Sequence, residues 1–324
     1  MNAATAAIPA SSVSQPSVAL RRYAWGVVAY NVAVIVWGAA VRATGSGAGC
    51  GDHWPLCNGS VVQHHPTVAT LIEFTHRSMS GIALVAILGL VVWNFRATAR
   101  RHLARTAAIV SLVLTLNEAI LGALLVLLGK VAHDQSASRA VYLALHFTNT
   151  LLMLAALSLT AHFLTRRQGY MRGSVEWRSP AVALIGLIAT LIVGVAGSLA
   201  ALGDTLYPAT SLRDALLQDF STHGSWLIRL RWIHPASSLV AGAFLLWLVA
   251  RGLRIASNRT LAFLVIGFLF FQYALGVTDV ALLARTWIQM LHLFGADLLW
   301  ISVVVLAARL CICPIGCTEG LCAV

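Results

Sequence analysis

Four histidines lie inside four separate apolar stretches of this chain: His76, His146, His234 and His292. An ionisable side chain is costly in lipid and usually serves a function there. If each stretch spans a membrane, all four fall at nearly the same depth, two in each half of the chain. Imidazole commonly ligates haem iron, and helix bundles build cofactor sites from facing helices. The pattern predicts two axial pairs for two haems, His76 with His146 and His234 with His292.

These histidines could also have roles without haem. A histidine within a spanning helix can be a hydrogen-bonded packing residue, and zinc or copper also binds imidazole. Neither pair is accompanied by a third or fourth candidate ligand, which disfavours zinc and copper. The matched depth and the two-half arrangement favour haem over packing.

The residues beside the histidines distinguish the two predicted sites. Glu73 precedes His76 by three residues, so both side chains face one side of a helix. Arg231 stands three residues before His234. A buried carboxylate suits proton handling, whereas an arginine suits charge pairing with haem propionates. The first pair is therefore the predicted site of chemistry and the second a predicted redox relay.

Glu73 could instead have one of two other roles. It could form a structural ion pair with Arg77 or Arg42. A Glu-x-x-His pair also occurs in di-iron carboxylate bundles, but those need a second copy of the pair and further glutamates, which the chain lacks.

The composition indicates which elements position these residues. Hydrophobic residues make up 59% of the chain and charged residues only 10%, against about 25% charged in soluble domains. This predicts an all-α integral membrane protein, since the apolar segments are too long for strands of a β-barrel. The net charge of +11 comes mainly from arginines between those segments, which indicates topology signals rather than nucleic-acid binding.

Eight segments are long enough to cross a bilayer, which takes roughly 20 helical residues. They are predicted at about 23–43, 68–95, 105–128, 139–164, 180–202, 228–250, 260–284 and 286–309. Only a tight turn near Arg285 separates the last two.

The arginines also predict the orientation. They precede helix 1 and follow helices 2, 4 and 6, so the positive-inside rule makes both termini cytoplasmic. Helices 2, 4, 6 and 8 then run inward and each carries one histidine, six to eight residues from its outer start. At 1.5 Å per residue the histidines lie roughly 9–12 Å below the outer boundary.

An internal repeat follows from the same spacing. His76 corresponds to His234 and His146 to His292. Helix 3 contains Glu118-Ala-Ile-Leu-Gly, and helix 7 contains Gln272-Tyr-Ala-Leu-Gly. Two four-helix bundles are predicted, at 22–164 (the predicted site of chemistry) and 180–309 (the predicted redox relay). They follow a disordered cytoplasmic N-terminus at 1–21, are joined by a cytoplasmic linker at 165–179, and precede a cytoplasmic Cys-rich tail at 310–324.

The predicted outer loops carry further features. Cys50 and Cys57 face an oxidising compartment, which predicts a disulfide worth roughly 2–3 kcal/mol, with a redox-active pair as the alternative. Ser211 could cap an amphipathic helix that lies on the membrane, covers the second haem site or simply connects. The remaining loop histidines are expected to be solvated: His53, His64, His65, His133 and His223.

The tail contains four cysteines whose spacing matches no established metal motif: Cys311, Cys313, Cys317 and Cys322. Disulfides are not expected in a cytoplasmic tail. Metal binding by these cysteines stays open.

The chain resembles the haem A synthase family over about residues 22–309. The resemblance is carried by the stretch from Gly38 to Gly47, the cysteine loop with Trp54-Pro55, and Glu73-Phe-Thr-His-Arg77, together with the histidines of the later segments. One departure is Glu118, where the family usually has glutamine.

The resemblance implies oxidation of the C8 methyl group of haem O to a formyl group, by successive hydroxylations, for cytochrome oxidase biogenesis. His76 and His146 would hold the substrate haem, and His234 and His292 a haem b. Glu73 would be the catalytic carboxylate, Arg77 and Arg231 would contact the haems, and Cys50–Cys57 would be the loop disulfide.

Haem O synthase is the implied supplier of haem O, in a bacterial cell membrane. The electron donor and the existence of a homo-oligomer stay open, and no nucleic-acid partner is expected. Two other functions compete. A di-haem electron-transfer cytochrome that oxidises quinol would use the same four histidines. A transporter with repeated halves would bind no haem.

Overall fold

Eight long apolar helices dominate the computed structural model, which describes residues 16–61, 64–166, 175–177, 180–221 and 225–314. Eight helical segments are long and apolar enough to cross a membrane, so the predicted number is confirmed and the protein is a multi-pass membrane protein. The helices are α1 Val18–Ala43, α2 Val68–Ala97, α3 Leu103–Leu127, α4 Ala137–Thr165, α5 Pro180–Leu206, α6 Leu212–Phe220, α7 Trp226–Arg229, α8 Ile233–Leu253, α9 Arg259–Ala281 and α10 Thr286–Cys311.

Local sequence signals set where several helices begin. The side chains of Ser17, Thr67 and Ser136 each accept a hydrogen bond from a backbone N–H three residues further on, so α1, α2 and α4 start at capped ends. Pro180 opens α5, where its missing N–H costs nothing. The turn near Arg285 is confirmed between α9 and α10, with Leu283 and Ala284 at positive φ.

The helices form two rings of four. In the first half, α1 contacts α2, α2 contacts α3, α3 contacts α4, and α4 contacts α1. In the second half, the same closed sequence runs through α5, α8, α9 and α10. The internal repeat stays a prediction, which this recurrence supports. In each ring the two histidine-bearing helices are diagonally opposed.

The two rings meet along α1, α4, α5 and α10. Trp300 of α10 is buried there, and its indole N–H donates to the carbonyl of Leu151 on α4 at 2.8 Å. The outward faces stay apolar, as in Val85 of α2 and Val240 of α8, which are 69% and 75% exposed. Such faces suit contact with lipid.

The structure corrects three details. The sixth predicted segment is not one helix, because the chain breaks between α7 and α8 just before His234. Helix α1 begins at Val18, inside the predicted N-terminal segment. Two short antiparallel strands, β1 Val175–Trp177 and β2 Ile312–Pro314, join the linker to the tail.

Some predictions lie outside the described residues. These are the disorder at 1–15, most of the linker, His223 and the tail beyond Pro314, with Cys317 and Cys322.

Candidate functional site

Each interior histidine packs against a glycine of the spanning helix that precedes it, and the first histidine of each half does so most closely. A Cβ added at Gly38 of α1 would lie 2.9 Å from Cε1 of His76 on α2. A Cβ added at Gly197 of α5 would lie 2.8 Å from Cε1 of His234 on α8. Only glycine lets these backbones approach the rings so closely without displacing them.

The second histidine of each half repeats this contact less tightly. A Cβ at Gly122 of α3 would lie 3.6 Å from Cε1 of His146, and one at Gly276 of α9 would lie 3.5 Å from Cε1 of His292. Both distances are ordinary van der Waals contacts. The glycines were not singled out as cradles from the sequence, although Gly122 and Gly276 end the two matching helix-3 and helix-7 motifs.

The histidines of the second half face each other. The ring centroids of His234 and His292 are 6.2 Å apart and the ring planes are nearly perpendicular at 87°. Two imidazoles on opposite sides of one metal, each with a nitrogen about 2 Å from it, have centroids about 6 Å apart. The pair therefore fits two axial ligands of a haem iron.

Buried ring nitrogens give a second test of that fit. Within the described part of the chain, the Nδ1 atoms of His76, His146 and His292 are all buried without a hydrogen bond. Nδ1 of His234 lies 3.1 Å from the carbonyl oxygen of Val193. Such a contact orients a metal-binding imidazole by fixing which ring nitrogen is protonated. No group of three or more His, Cys, Asp or Glu side chains among the described residues could hold a metal ion.

Glu73 is a buried carboxylate, only 3% exposed, one helical turn from His76. Its Oε1 accepts a hydrogen bond from Nη2 of Arg77 at 2.6 Å. Its Oε2 accepts a hydrogen bond from the backbone N–H of Cys50 at 2.8 Å. Of the two ion pairs considered from the sequence, the structure forms the one with Arg77.

Arg77 joins this carboxylate to the cysteine loop. Its Nη1 donates to the carbonyl oxygens of His53 and Leu56 at 2.7 and 2.8 Å. The loop is closed by the predicted disulfide between Cys50 and Cys57. The arginine therefore holds the loop over the end of α2 that carries Glu73.

Arg231 has a different set of partners in the break before α8. Its Nε lies 3.0 Å from Oδ1 of Asp204, an ion pair without hydrogen-bond alignment, and its Nη1 lies 3.6 Å from Oδ1 of Asp219. Nη2 donates to the carbonyl oxygens of Gly203 and Tyr207. Burial raises the pKa of Asp219 above its ordinary value, and the charge of Arg231 opposes that rise.

Arg42 does not contact Glu73 but bridges the halves. Its Nη1 donates to the carbonyl oxygen of Ala201 at 2.6 Å and to Oγ1 of Thr205 at 2.7 Å, both on α5. Its Nη2 donates to Oε1 of Gln289 on α10 at 2.8 Å. Gln289 precedes His292 by three residues, so the bridge ends beside the second histidine pair.

Helix α6 is confirmed, with Ser211 capping it by accepting from the N–H of Asp214. Its large apolar side chains are exposed, Leu217 to 63% and Phe220 to 77%. Its opposite side reaches Arg231 through Asp219 and Gln218. The apolar face therefore does not cover the second histidine pair.

Two results concern residues outside the predicted site. The loop histidines that the structure describes are exposed, as expected: His53, His64, His65 and His133. Asp297 of α10 was missed. It is fully buried, and neither carboxyl oxygen has a hydrogen bond among the described residues. The sequence signal that could have found Asp297 was a single acidic residue inside an apolar stretch.

The fold and the interior histidines define a class of helical multi-pass membrane protein with buried or half-buried imidazoles on diagonally opposed helices. Residues 21–304 match the family model described as cytochrome oxidase assembly protein, COX15-CtaA. The chain belongs to this family.

Relatives of two names are similar to the chain. A protoheme IX farnesyltransferase of Thermus thermophilus is 41% identical over 291 residues, which cover 89% of this chain and 48% of that protein. The chain thus spans about half the length of this relative. The heme A synthase of Exiguobacterium sp. AT1b is 38% identical over 124 residues, 38% of each protein. That of Exiguobacterium sibiricum is 32% identical over 171 residues, 51% of this chain and 53% of its own length.

Proposed function

We propose that the protein is a haem A synthase, which oxidises the C8 methyl group of haem O to a formyl group. The observation that carries the proposal is the asymmetry of the two sites. Buried Glu73 lies one turn from His76, whereas the corresponding place before His234 holds Arg231. Family membership and the relatives named heme A synthase support this reaction.

The two histidine pairs have separate tasks in this proposal. His76 and His146 hold the substrate haem, and His234 and His292 hold a haem b. That haem b, when bound, supplies electrons one at a time. The 6.2 Å separation of the His234 and His292 rings supports axial ligation at the second site.

The proposed chemistry balances as two hydroxylations and a dehydration. Each hydroxylation consumes one dioxygen, two electrons and two protons, places one oxygen atom on the methyl carbon and releases the other as water. The resulting gem-diol loses water to give the formyl group. Glu73 holds and moves protons at its carboxyl oxygens, and the Cys50 N–H and Arg77 keep it in place.

The two flanking arginines complete the sites. Arg77 and Arg231 each lie within one turn of a haem ligand, where a guanidinium can pair with a propionate. Both are already bonded to the protein, so their main effect is on the groups they hold. Arg77 orients Glu73 and the cysteine loop, and Arg231 holds α6 against α5.

The setting follows from the same reasoning. We place the protein in a bacterial cell membrane with both termini inside, because the arginine-rich connections lie on one side. Haem O would come from a protoheme farnesyltransferase. The relative of that name from Thermus supports this, because this chain matches about half of it.

The test is pigment analysis after co-expression with a haem O source. The full chain should yield haem A and its hydroxylated intermediate, identified by mass after extraction. Glu73→Gln should keep haem at both sites but lower both products by at least about a hundredfold, the lower range for a general acid–base. The matched control is Asp134→Asn, a carboxylate-to-amide change in a loop, which should leave the products unchanged.

Two outcomes would contradict the proposal. A folded, haem-loaded protein that forms neither product would instead favour an electron-transfer cytochrome. Normal haem A formation by Glu73→Gln would remove Glu73 from the chemistry.

A further inference from the structure

The Nδ1 atoms of the two histidines in the first pair have different surroundings. Nδ1 of His146 lies 3.4 Å from Oε1 of Glu118 on α3. Within the described residues, Nδ1 is buried without a hydrogen bond in both His76 and His146, but only that of His146 lies within 4 Å of a carboxylate. One ligand of the pair thus has a carboxylate behind it and the other does not.

Glu118 is fixed in position by the helix that carries His146. Its Oε2 accepts a hydrogen bond from Nδ2 of Asn149 at 2.5 Å, and its Oε1 accepts one from the hydroxyl of Thr150. Asn149 is buried and is itself held by Asn117 at 2.8 Å. Both carboxyl oxygens therefore accept from donors, which leaves Oε1 in place as an acceptor beside the ring.

The second half lacks this arrangement. Gln272 occupies the matching place on α9, and its Nε2 donates to the backbone carbonyl of His292 at 3.0 Å. The amide thus contacts the helix backbone and not the ring. The carboxylate behind His146 is peculiar to the site where we place the substrate.

We propose that Glu118 is a positioning residue that accepts the Nδ1–H of His146 and makes His146 the firmly bound ligand of the substrate haem. His76 is then the ligand that dissociates from the iron and makes room for dioxygen. This inference rests on the proposed function, because it concerns the same site.

The physical argument has two steps. A carboxylate that accepts the Nδ1–H fixes the tautomer, leaves Nε2 for iron and makes the imidazole a stronger donor. The present distance of 3.4 Å is longer than a formed hydrogen bond. Contacts of this kind tighten when the site is filled.

The position of Glu73 gives the proposed difference between His76 and His146 a role in the reaction. Glu73 lies one turn from His76 on α2, and α2 is diagonally opposite α4, which carries His146. If His76 yields, dioxygen binds on the side where the proton-handling carboxylate already lies.

The test measures both haems in the full-length, haem O-loaded protein by spectroelectrochemical titration. Glu118→Gln places at this position the residue that stands at 272. It should weaken the preference for ferric over ferrous iron at the first site by about tenfold, which raises the reduction potential of that haem by about 59 mV. The reduction potential of the second haem should not change. Thr150→Val should shift the first site in the same direction by less, and Asp134→Asn should shift neither.

Carbon monoxide on the reduced protein tests which ligand yields. Glu118→Gln should shift the C–O stretching frequency in the wild-type background and in the His76→Ala background alike, because His146 stays bound to the iron in both. An unchanged first-site potential and an unchanged frequency in Glu118→Gln would overturn the proposal. Neither readout requires haem A formation, so failure of the proposed reaction is detected separately.

Discussion

The backbone N–H of Cys50 donates to the carboxylate of Glu73 at 2.8 Å, so the first residue of the disulfide loop is bonded directly to the proposed catalytic acid. Arg77 ties the same carboxylate to the far part of the loop through the carbonyl of Leu56. The disulfide, the arginine and the acid therefore form one connected unit. Loosening the loop should disturb Glu73 without touching the histidines.

Replacing Cys50 and Cys57 by serine tests that connection. Opening a covalent loop of this size costs about 2 kcal/mol, which is about a 30-fold increase in local opening. We expect the backbone amide at position 50 to exchange its hydrogen faster by about that factor. Haem A formation should fall, while haem stays at both sites. Cys311→Ser, at the other end of the bundle, should leave the exchange unchanged. Undisturbed exchange in the double variant would show that Arg77 alone holds the loop.

The four glycine–histidine contacts predict which glycine-to-alanine substitutions the haem sites tolerate. Gly38→Ala and Gly197→Ala should each displace a ring, because the new methyl group would lie within 3.0 Å of it. Overpacking of this kind costs about 1–3 kcal/mol, so haem affinity should fall by about 5- to 150-fold at the affected site alone. The haem-to-protein ratio and the optical spectrum measure the loss.

The matched controls for those variants are Gly122→Ala and Gly276→Ala. Their methyl groups would meet the rings at 3.6 and 3.5 Å, which is ordinary contact, so haem should be retained. Equal losses in all four variants would mean that the glycines serve helix packing in general and not the ligand rings.

The bridge made by Arg42 predicts that the halves lose stability together. Arg42→Met removes hydrogen bonds from a charged group to α5 and α10, each worth about 1.5–3 kcal/mol. We expect a lower temperature of haem loss at both sites. Arg259→Met, which removes an exposed arginine, should change that temperature little. Loss at one site only would contradict a bridging role.

Features that depend on length and hydropathy could be located from the sequence. The eight spans, the interior histidines and the same-side placement of Glu73 and His76 all follow from helix periodicity. The partners of Glu73 could not be located from the sequence, because the choice between Arg77 and Arg42 depends on how the loop folds back. The break before His234 was also missed, because the residues from Trp226 to Leu253 are apolar enough to be read as one helix.

The contact between Glu118 and His146 could not be predicted from the sequence for a similar reason. Glu118 was recognisable as a departure from the family pattern, but its partners lie on another helix. Helix periodicity gives the face of a residue and not the rotation of a neighbouring helix. The glycine cradles depend on that same rotation.

The exposed apolar face of α6 predicts contact with lipid. Leu217 is 63% exposed, while the opposite side of the helix is tied to Arg231 through Asp219. An amphipathic helix at the end of a spanning bundle lowers its free energy by burying that face in the interface. A nitroxide on Leu217→Cys should therefore be more accessible to oxygen than to a water-soluble nickel chelate in reconstituted vesicles.

Two labelled positions calibrate that measurement, in a background lacking Cys311 and the three cysteines that follow it. His133→Cys, in an exposed loop, should favour the chelate, and Val240→Cys, on the outward face of α8, should favour oxygen. We expect Leu217→Cys to resemble Val240→Cys more than His133→Cys. A label at 217 that behaves like the loop position would place α6 in water. The side chains of Leu216 and Phe220 would then form an exposed apolar surface for a protein partner rather than for lipid.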